Sequence, residues 1–161
     1  MTTKAKIVDL GQLTRLTDQW KSDDLKVVFT NGCFDLLHPG HIDYLEKSSL
    51  LGDRLIVAVN ANVSVKMLKG AERPIFDEQD RAKMIAALHF VDAVILFEEN
   101  TPEAIVERVL PSVLVKGADY KISNIAGAEI VMRNGGKVEL IELKPGFSTS
   151  SIIGKLKGLN G

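Results

Sequence analysis

The sequence predicts an α/β fold: one Rossmann-like domain with a five-stranded, mostly parallel sheet and helices on both faces. Short apolar runs alternate along the chain with stretches of helical periodicity, which is the pattern of strand–helix–strand units. One of these runs, within residues 54–60, is continuously apolar, as in strands that helices cover on both faces. No internal repeat or linker divides the 161 residues, a length that suits one domain with a sizeable core.

The N-terminal residues 1–24 are predicted to form a short lead and an amphipathic helix, and residues 25–161 form the main domain. Apolar side chains recur at helical spacing in the first segment, at Leu10, Leu13, Leu16 and Trp20. We expect this helix to pack on the domain itself or on a partner subunit.

Strands and helices alternate through the main domain. Strands are predicted at residues 26–30, 54–60, 91–97, 112–116 and 137–143. Helices are predicted at residues 39–51, 62–68, 77–88, 102–110, 127–134 and 148–156. Their boundaries are marked by Pro39 and Gly52 and by three N-cap side chains, those of Asp77, Thr101 and Ser148. This order implies right-handed crossovers between parallel strands.

Composition excludes several classes of function. The formal net charge of −1 argues against broad binding to nucleic acid or to an anionic membrane surface. The single cysteine forms no intrachain disulfide, which fits a reducing compartment. The first six residues lack a signal-type apolar stretch, and the longest apolar runs are too short to span a bilayer. We therefore expect a cytoplasmic protein.

The junction after the first strand is the strongest functional feature. An Asn31-Gly32 turn is followed by His38-Pro39-Gly40-His41 at the start of a helix. Free backbone N–H groups and the positive end of the helix dipole suit an anion there. Ligands bind parallel sheets outside the carboxyl ends of the strands. Polar residues and glycines follow the strands or start a helix at that edge: Thr30, Asn31, Gly32, Asn60, Lys116, Gly117, Asp119, Ser148, Thr149 and Ser150. The hydroxyls, the glycine backbone and the lysine of this set, with the two imidazoles, suit phosphate oxygens. The sequence therefore predicts a triphosphate site.

Arg81 lies on the apolar face of its predicted helix, in one stripe with Ile85 and Leu88. An arginine that faces the core needs an anion or a carboxylate. Two interpretations stay open: an internal ion pair, or a contact with a ligand phosphate or a loop.

Two motifs carry a resemblance to a known family. The chain has no Walker-type loop, no Gly-x-Gly-x-x-Gly after the first strand and no Gly-x-Ser-x-Gly elbow. Residues 38–41 match the His-x-Gly-His signature of the nucleotidyltransferase superfamily, and residues 147–152 resemble its second, Ile-Ser-Ser-Thr-type signature. From Leu25 onward the chain most resembles the adenylyltransferase domain of ADP-heptose synthases, in a stand-alone form without the kinase. Residues 30–41, 65–70, 73–75, 113–120 and 146–153 carry this match.

The resemblance implies that an oxygen of D-glycero-β-D-manno-heptose 1-phosphate attacks the α-phosphorus of ATP in line and releases pyrophosphate. The product, ADP-heptose, would serve the synthesis of lipopolysaccharide core or another surface glycan. Such chemistry depends on positioning and on charge stabilisation. Mg²⁺ is expected to accompany ATP, bound mainly through the phosphates, since the sequence shows no dedicated metal site. Family members are often dimers, so a homodimer or higher homo-oligomer is expected.

The resemblance also implies roles for individual residues. Those expected in catalysis are His38, His41, Lys116 and Arg81. Those expected to contact the nucleotide are Thr30, Asn31, Gly32, Cys33, Phe34, His38, Gly40, His41, Asn60, Arg81, Lys116, Gly117, Ser148, Thr149 and Ser150. Those expected to contact the second substrate are Asp35, Lys47, Lys69, Arg73 and Asp119.

Simpler interpretations stand beside these. Taken alone, the two histidines would more often be a metal-ligand pair or surface residues. Asp35 could cap the helix, anchor a loop or contact the sugar phosphate; Cys33 suits packing, and Lys47 suits a solvated surface. The alternative reactions are cytidylyl transfer to glycerol 3-phosphate or another alcohol phosphate, and, in another class, a non-catalytic nucleotide-binding module.

Overall fold

A computed structural model describes residues 1–159 of the chain, so the predicted domain end at residue 161 lies outside the described residues. Five strands form one sheet: β1 Val27–Gly32, β2 Arg54–Asn60, β3 Ala93–Phe97, β4 Val113–Gly117 and β5 Lys137–Ile141. Their spatial order is β3-β2-β1-β4-β5, and every adjacent pair runs parallel. The predicted α/β fold with a five-stranded sheet is confirmed.

Eight helices surround the sheet within the described range. They are α1 Thr3–Lys6, α2 Leu10–Ser22, α3 Pro39–Ser49, α4 Asn62–Lys69, α5 Glu78–Ala86, α6 Glu103–Val109, α7 Ala128–Arg133 and α8 Thr149–Leu159. A short 3₁₀ turn, Ile122–Asn124, precedes α7. None of the helices in residues 1–159 has the length and apolar character needed to cross a membrane.

Several predicted boundaries shift by one to three residues. β1 continues to Gly32, because Asn31 and Gly32 still pair with Ala58 and Val59 of β2. The predicted cap at Thr101 is wrong: Pro102 occupies the N-cap position of α6 and provides no side-chain hydrogen bond. Asp77 does cap its helix, accepting a hydrogen bond from the backbone N–H of Gln79. The errors fall at element ends, where local signals compete with tertiary pairing.

Two apolar layers cover the two faces of the sheet. On one face, Phe29 of β1 packs in a cluster that includes side chains of α2, α6 and α7. On the other face, Val28 packs with Leu45 of α3 and Ile85 of α5. Successive strand residues point to opposite faces, so a strand buried on both sides is apolar throughout.

The N-terminal helix α2 packs on the domain's own core. Asp9 and Gln12 form a capping box at its start. Leu13 is fully buried and Trp20 is 8% exposed within the same cluster as Phe29. Ile7 adds a parallel bridge to Val94, so the segment packs on the domain, one of the two partners expected for it. Leu10 of the apolar stripe stays 43% exposed, and the expected homo-oligomer stays a prediction.

β1 and β4 separate toward their carboxyl ends. They pair only at Val28–Val113 and Phe29–Leu114, whereas β1 pairs with β2 through Gly32. The strand order reverses direction at this pair, because the chain builds β1, β2 and β3 to one side and then returns to add β4 and β5 to the other. A crevice at such a reversal is the usual ligand site of an open parallel sheet.

Truncating Leu13 should test whether residues 1–24 belong to the core. We expect Leu13→Ala to lower the free energy of unfolding by about 2–5 kcal/mol, because it leaves a cavity against the sheet. Leu10→Ala is the matched control, since Leu10 lies on the same helix but is 43% exposed. Urea unfolding followed by circular dichroism measures both. Equal, small effects would mean that α2 does not contribute to the core.

Candidate active site

A cavity of about 630 Å³ opens at the carboxyl end of the sheet. Residues far apart in sequence meet in its wall. Those predicted from the sequence are Asn31, Gly32, Cys33, Phe34, Asp35, His38, Gly40, His41, Asn60, Lys69, Arg73, Lys116, Gly117, Asp119, Ser148, Thr149 and Ser150. The rule that ligands bind at the carboxyl ends of parallel strands accounts for part of this set, and the family resemblance supplied the rest: Cys33, Phe34, Asp35, Gly40, Lys69 and Arg73.

Other residues of the wall were missed. They are Tyr44, Leu68, Asn100, Thr101, Pro102, Tyr120, Asn124, Ile125, Ala126, Leu143, Lys144 and Phe147. Two signals could have found some of them. Residues 100–102 follow β3, so the same carboxyl-end rule covers them. Tyr44 lies three residues after His41 and therefore shares its face of α3.

The two histidines form a stacked pair at the start of α3. Their ring centroids lie 3.8 Å apart and their planes differ by 18°. His38 is the N-cap, and its Nδ1 accepts a hydrogen bond from the backbone N–H of His41 at 3.4 Å. A neutral imidazole whose Nδ1 accepts carries its proton on Nε2. His38 is therefore oriented as an Nε2–H donor.

Gly40 leaves room for the His38 ring beside the backbone of α3. A Cβ atom there would lie 2.9 Å from Cε1 of His38 and 3.0 Å from Cβ of Phe147, which is closer than carbon atoms pack. The glycine of the motif thus provides space for His38 and for the segment that leads into α8.

Both imidazoles are neutral near pH 7. Burial, followed by the neighbouring His38, lowers the pKa of His41 to about 4. Burial also lowers the pKa of His38. Nδ1 of His41 is buried and has no hydrogen-bond partner within residues 1–159. The pair offers N–H donors without a resident positive charge, which suits hydrogen bonding to a phosphate oxygen.

Lys116 supplies a cation at the β1–β4 crevice. Its Nζ donates to the backbone oxygen of Asn31 at 3.4 Å and lies 4.9 Å from the ring centroid of Tyr120. Burial lowers the pKa of Lys116 to about 8. No carboxylate of the described chain forms an ion pair with it, so the ammonium is available to an anionic ligand.

Asp35 anchors the loop that follows α4. Its Oδ2 lies 2.5 Å from Nε of Arg73, and its Oδ1 accepts hydrogen bonds from the backbone N–H groups of Ile75 and Phe76. Of the three roles considered for Asp35, the structure selects this one and leaves both carboxylate oxygens occupied. Asp35 thus positions the loop, and because it also lines the cavity wall its contact with the second substrate stays a prediction. Lys69 and Arg73 remain in the cavity wall.

Arg81 is fully buried and lies outside the cavity wall. Its Nη1 donates to the backbone oxygens of Cys33 and Asn60 at 2.6 and 2.7 Å, and its Nε donates to that of Phe76. Its Nη2 donates to the Oδ1 atom of Asn62. No ion pair with a carboxylate is present among the described residues; the contact with a loop, one of the expected alternatives, is made through the backbone oxygen of Phe76. Arg81 connects the ends of β1 and β2 to the loop and positions the site.

Two further expectations need correction. Thr30 is fully buried, and its Oγ1 donates to the backbone oxygen of Val115, so it does not reach the ligand space. Lys47 is exposed and pairs with Asp43 at 2.8 Å on the surface of α3. Cys33 does line the wall, but burial raises the pKa of its thiol, which favours a packing role.

Ser148 begins the second phosphate-binding candidate. Its Oγ accepts a hydrogen bond from the backbone N–H of Ser151 at 3.0 Å, as predicted for an N-cap of α8. Ser148, Thr149 and Ser150 line the same cavity as the histidines. Two helix N-termini, those of α3 and α8, therefore face one space, and both favour anions.

Removing the Arg81 side chain should destabilise the fold more than any surface arginine. We expect Arg81→Met to lower the free energy of unfolding by about 3 kcal/mol or more, because several buried carbonyls lose their donors. Arg133→Met is the control, since Arg133 pairs with Glu129 on the surface. Urea unfolding compares them. If the Arg81→Met protein were as stable as the control yet unable to bind ATP, that result would support a direct contact between Arg81 and the ligand instead.

His41 should make stability depend on pH. Its pKa of about 4 lies below the ordinary value of 6.5, so the unfolded chain binds more protons between these two values. Stability should therefore fall as pH drops from about 6.5 to about 4. His41→Asn should flatten that slope, and His89→Asn, at an exposed position, should not. Unfolding midpoints measured across this pH range give the slope. An unchanged slope in His41→Asn would contradict the lowered pKa of His41.

Comparison with known proteins identifies the family of the chain. A family model described as cytidylyltransferase-like matches residues 29–155. The chain is 48% identical over 161 residues to the bifunctional protein HldE of Azorhizobium caulinodans, covering 96% of this chain and 34% of that protein. It is 49% identical over 153 residues to the bifunctional protein HldE of Pasteurella multocida, covering 95% and 32%. The chain thus spans about a third of the length of these curated relatives.

Solved structures give the same fold. The lipopolysaccharide core biosynthesis protein from Thermoplasma volcanium GSS1 is 34% identical with a TM-score of 0.59, over 74% of this chain and 97% of that chain. Pantoate-β-alanine ligase from Francisella tularensis reaches a TM-score of 0.58 at 14% identity, over 94% and 76%, and shows the fold alone. The family match over most of the sequence, together with these identities, shows that the chain belongs to the cytidylyltransferase-like family of nucleotidyltransferases.

Proposed function

We propose that this protein transfers the adenylyl group of ATP to D-glycero-β-D-manno-heptose 1-phosphate, giving ADP-heptose and pyrophosphate for lipopolysaccharide core or another surface glycan. The observation that carries the proposal is the stacked neutral pair His38–His41, which shares one cavity with Lys116 and the N-terminus of α8. The resemblance to ADP-heptose synthases and the name of the Thermoplasma relative support the sugar assignment.

The reaction requires charge stabilisation at the α-phosphate. A heptose phosphate oxygen forms a bond to the α-phosphorus while the bond to the bridging oxygen breaks, and the electron pair leaves with pyrophosphate. Imidazole N–H groups, the Lys116 ammonium and the hydroxyls of residues 148–150 are the donors for the phosphate oxygens. Pre-positioned donors of this kind commonly supply a large share of catalysis in phosphoryl and nucleotidyl transfer. The cavity volume lies in the range of small-molecule sites, about 300–1,000 Å³.

Lys116 is suited to a ligand that brings negative charge. Its pKa of about 8 leaves part of the population neutral in mildly alkaline solution without ligand. A polyphosphate placed beside it favours the ammonium form and raises that pKa. Binding of the nucleotide and protonation of Lys116 therefore reinforce each other.

Mg²⁺ is the ion we propose to accompany ATP, where it neutralises the triphosphate. Within residues 1–159 no group of three or more His, Cys, Asp or Glu side chains could hold a metal ion. Asp119 is a carboxylate of the cavity wall that forms no ion pair among the described residues. One carboxylate plus phosphate oxygens fits an ion that keeps most of its waters.

Cytidylyl transfer to glycerol 3-phosphate or another alcohol phosphate is the second candidate, because the family model that matches is described as cytidylyltransferase-like. Both reactions would use the same donors. They differ in the base and in the second substrate, which a direct assay separates.

A substrate panel tests the proposal. The purified protein is incubated with ATP or CTP, with heptose 1-phosphate or glycerol 3-phosphate, and with or without Mg²⁺. Pyrophosphate release is expected only with ATP, heptose 1-phosphate and Mg²⁺ together. His41→Asn should lower kcat by about 10²–10³-fold, since a donor to the transition state is lost. His89→Asn is the control at an exposed site. Release with CTP but not ATP would support the second candidate instead.

A further inference from the structure

Tyr44 is a buried polar residue of the cavity wall that the reaction outlined above does not use. Its side chain lies on α3 and is 7% exposed. Its hydroxyl lies 2.8 Å from Oγ1 of Thr30, and that same Oγ1 donates to the backbone oxygen of Val115 at 3.0 Å. The three groups form a short chain from the cavity wall into the β1–β4 crevice.

The direction of these hydrogen bonds follows from the number of hydrogens. A threonine hydroxyl has one hydrogen, and a carbonyl oxygen can only accept. Val115 lies beyond the last paired residues of β1 and β4, so its oxygen takes its donor from Thr30. Because the Thr30 hydrogen is used there, the Tyr44 hydroxyl must donate its own hydrogen to Thr30. The phenol oxygen of Tyr44 is then left only to accept.

The neighbours of Tyr44 include a carboxylate, that of Asp119. Burial, opposed by the hydrogen bond with Thr30 and assisted by the nearby Tyr120 and Asp119, raises the pKa of Tyr44 to about 12, so the phenol keeps its proton. Asp119 also lines the cavity, and its carboxylate accepts as well. Phosphate oxygens cannot donate to these groups, whereas sugar hydroxyls can. The donor-rich part of the wall around His38, His41 and residues 148–150 has the opposite preference.

We propose that Tyr44 determines specificity by accepting a hydrogen bond from a hydroxyl group of a bound sugar. The inference rests on the proposed function, since that function brings two sugars to the cavity. The hydroxyl belongs either to the ribose of the nucleotide or to the sugar of the acceptor phosphate. Thr30 positions Tyr44 by fixing the direction of its O–H bond.

Tyr44→Phe tests this with little risk to the fold. The substitution removes one oxygen and keeps the Thr30–Val115 hydrogen bond, so no buried donor is left without an acceptor. Its urea unfolding midpoint should stay close to that of the wild type. KM and kcat are measured for ATP, for 2′-deoxy-ATP, for 3′-deoxy-ATP and for heptose 1-phosphate. We expect KM for one substrate to rise about 3–10-fold, the loss of one net hydrogen bond, with little change in kcat.

The deoxy nucleotides identify the source of the hydroxyl. If the ribose is recognised, one deoxy analogue should show the same KM with wild type and Tyr44→Phe, since the partner is already missing. If the acceptor sugar is recognised, only KM for heptose 1-phosphate should rise. Unchanged KM values for both substrates, or an equal loss with every analogue, would overturn the role of Tyr44.

Failure of the proposed function would be visible separately. In that case the wild type releases no pyrophosphate with heptose 1-phosphate. Calorimetric binding of ATP, CTP, their deoxy analogues and heptose 1-phosphate to the wild type and Tyr44→Phe then tests the inference without turnover. Weaker binding of a ribonucleotide or of heptose 1-phosphate by Tyr44→Phe supports it, and equal binding of all of these ligands overturns it.

Discussion

The separation of β1 and β4 beyond Phe29 and Leu114 is the constraint on which the site depends. Parallel strands that stop pairing leave backbone oxygens without their usual donors. Here side chains take over: Thr30 donates to Val115 and Lys116 donates to Asn31. The crevice is thus stabilised by residues that also shape it. An apolar side chain at either position would leave a carbonyl unsatisfied, which explains why polar residues end two otherwise apolar strands.

A second layer of charged side chains holds the loops around this crevice. Asp35 fixes the loop after α4 through Arg73 and two backbone N–H groups, and Arg81 joins that loop to the ends of β1 and β2. Asp35 and Arg81 are almost completely buried, so their hydrogen bonds lie in a low-dielectric environment. The ligand-facing residues therefore rest on a rigid frame. Such a frame matters for a reaction in which positioning provides much of the rate.

The fold and part of the cavity wall could be predicted from sequence, because apolar periodicity marks strands and the parallel topology brings their ends together. The family resemblance added further residues of the wall, such as Asp35, Lys69 and Arg73. The errors have a common physical origin. Periodicity showed that Arg81 points inward, but it could not show that backbone carbonyls would satisfy it, since every residue has one. Thr30 was expected to contact the ligand because the sequence likewise does not show that the backbone oxygen of Val115 accepts its hydrogen bond. The position of Asp43, four residues before Lys47, already indicated a surface ion pair for that lysine. The spacing of three residues between His41 and Tyr44 indicated that Tyr44 shares the cavity-facing side of α3.

The backbone contacts of Arg81 have a consequence for how the sequence can vary. Its three carbonyl acceptors belong to positions 33, 60 and 76, and a carbonyl is the same whatever side chain its residue bears. Substitution at those positions leaves the acceptors in place as long as the backbone keeps its path. At position 81 no other residue type has a planar group with five donors. As far as these three hydrogen bonds are concerned, the tolerance for substitution is therefore uneven: position 81 requires arginine, whereas positions 33, 60 and 76 contribute only their backbone oxygens.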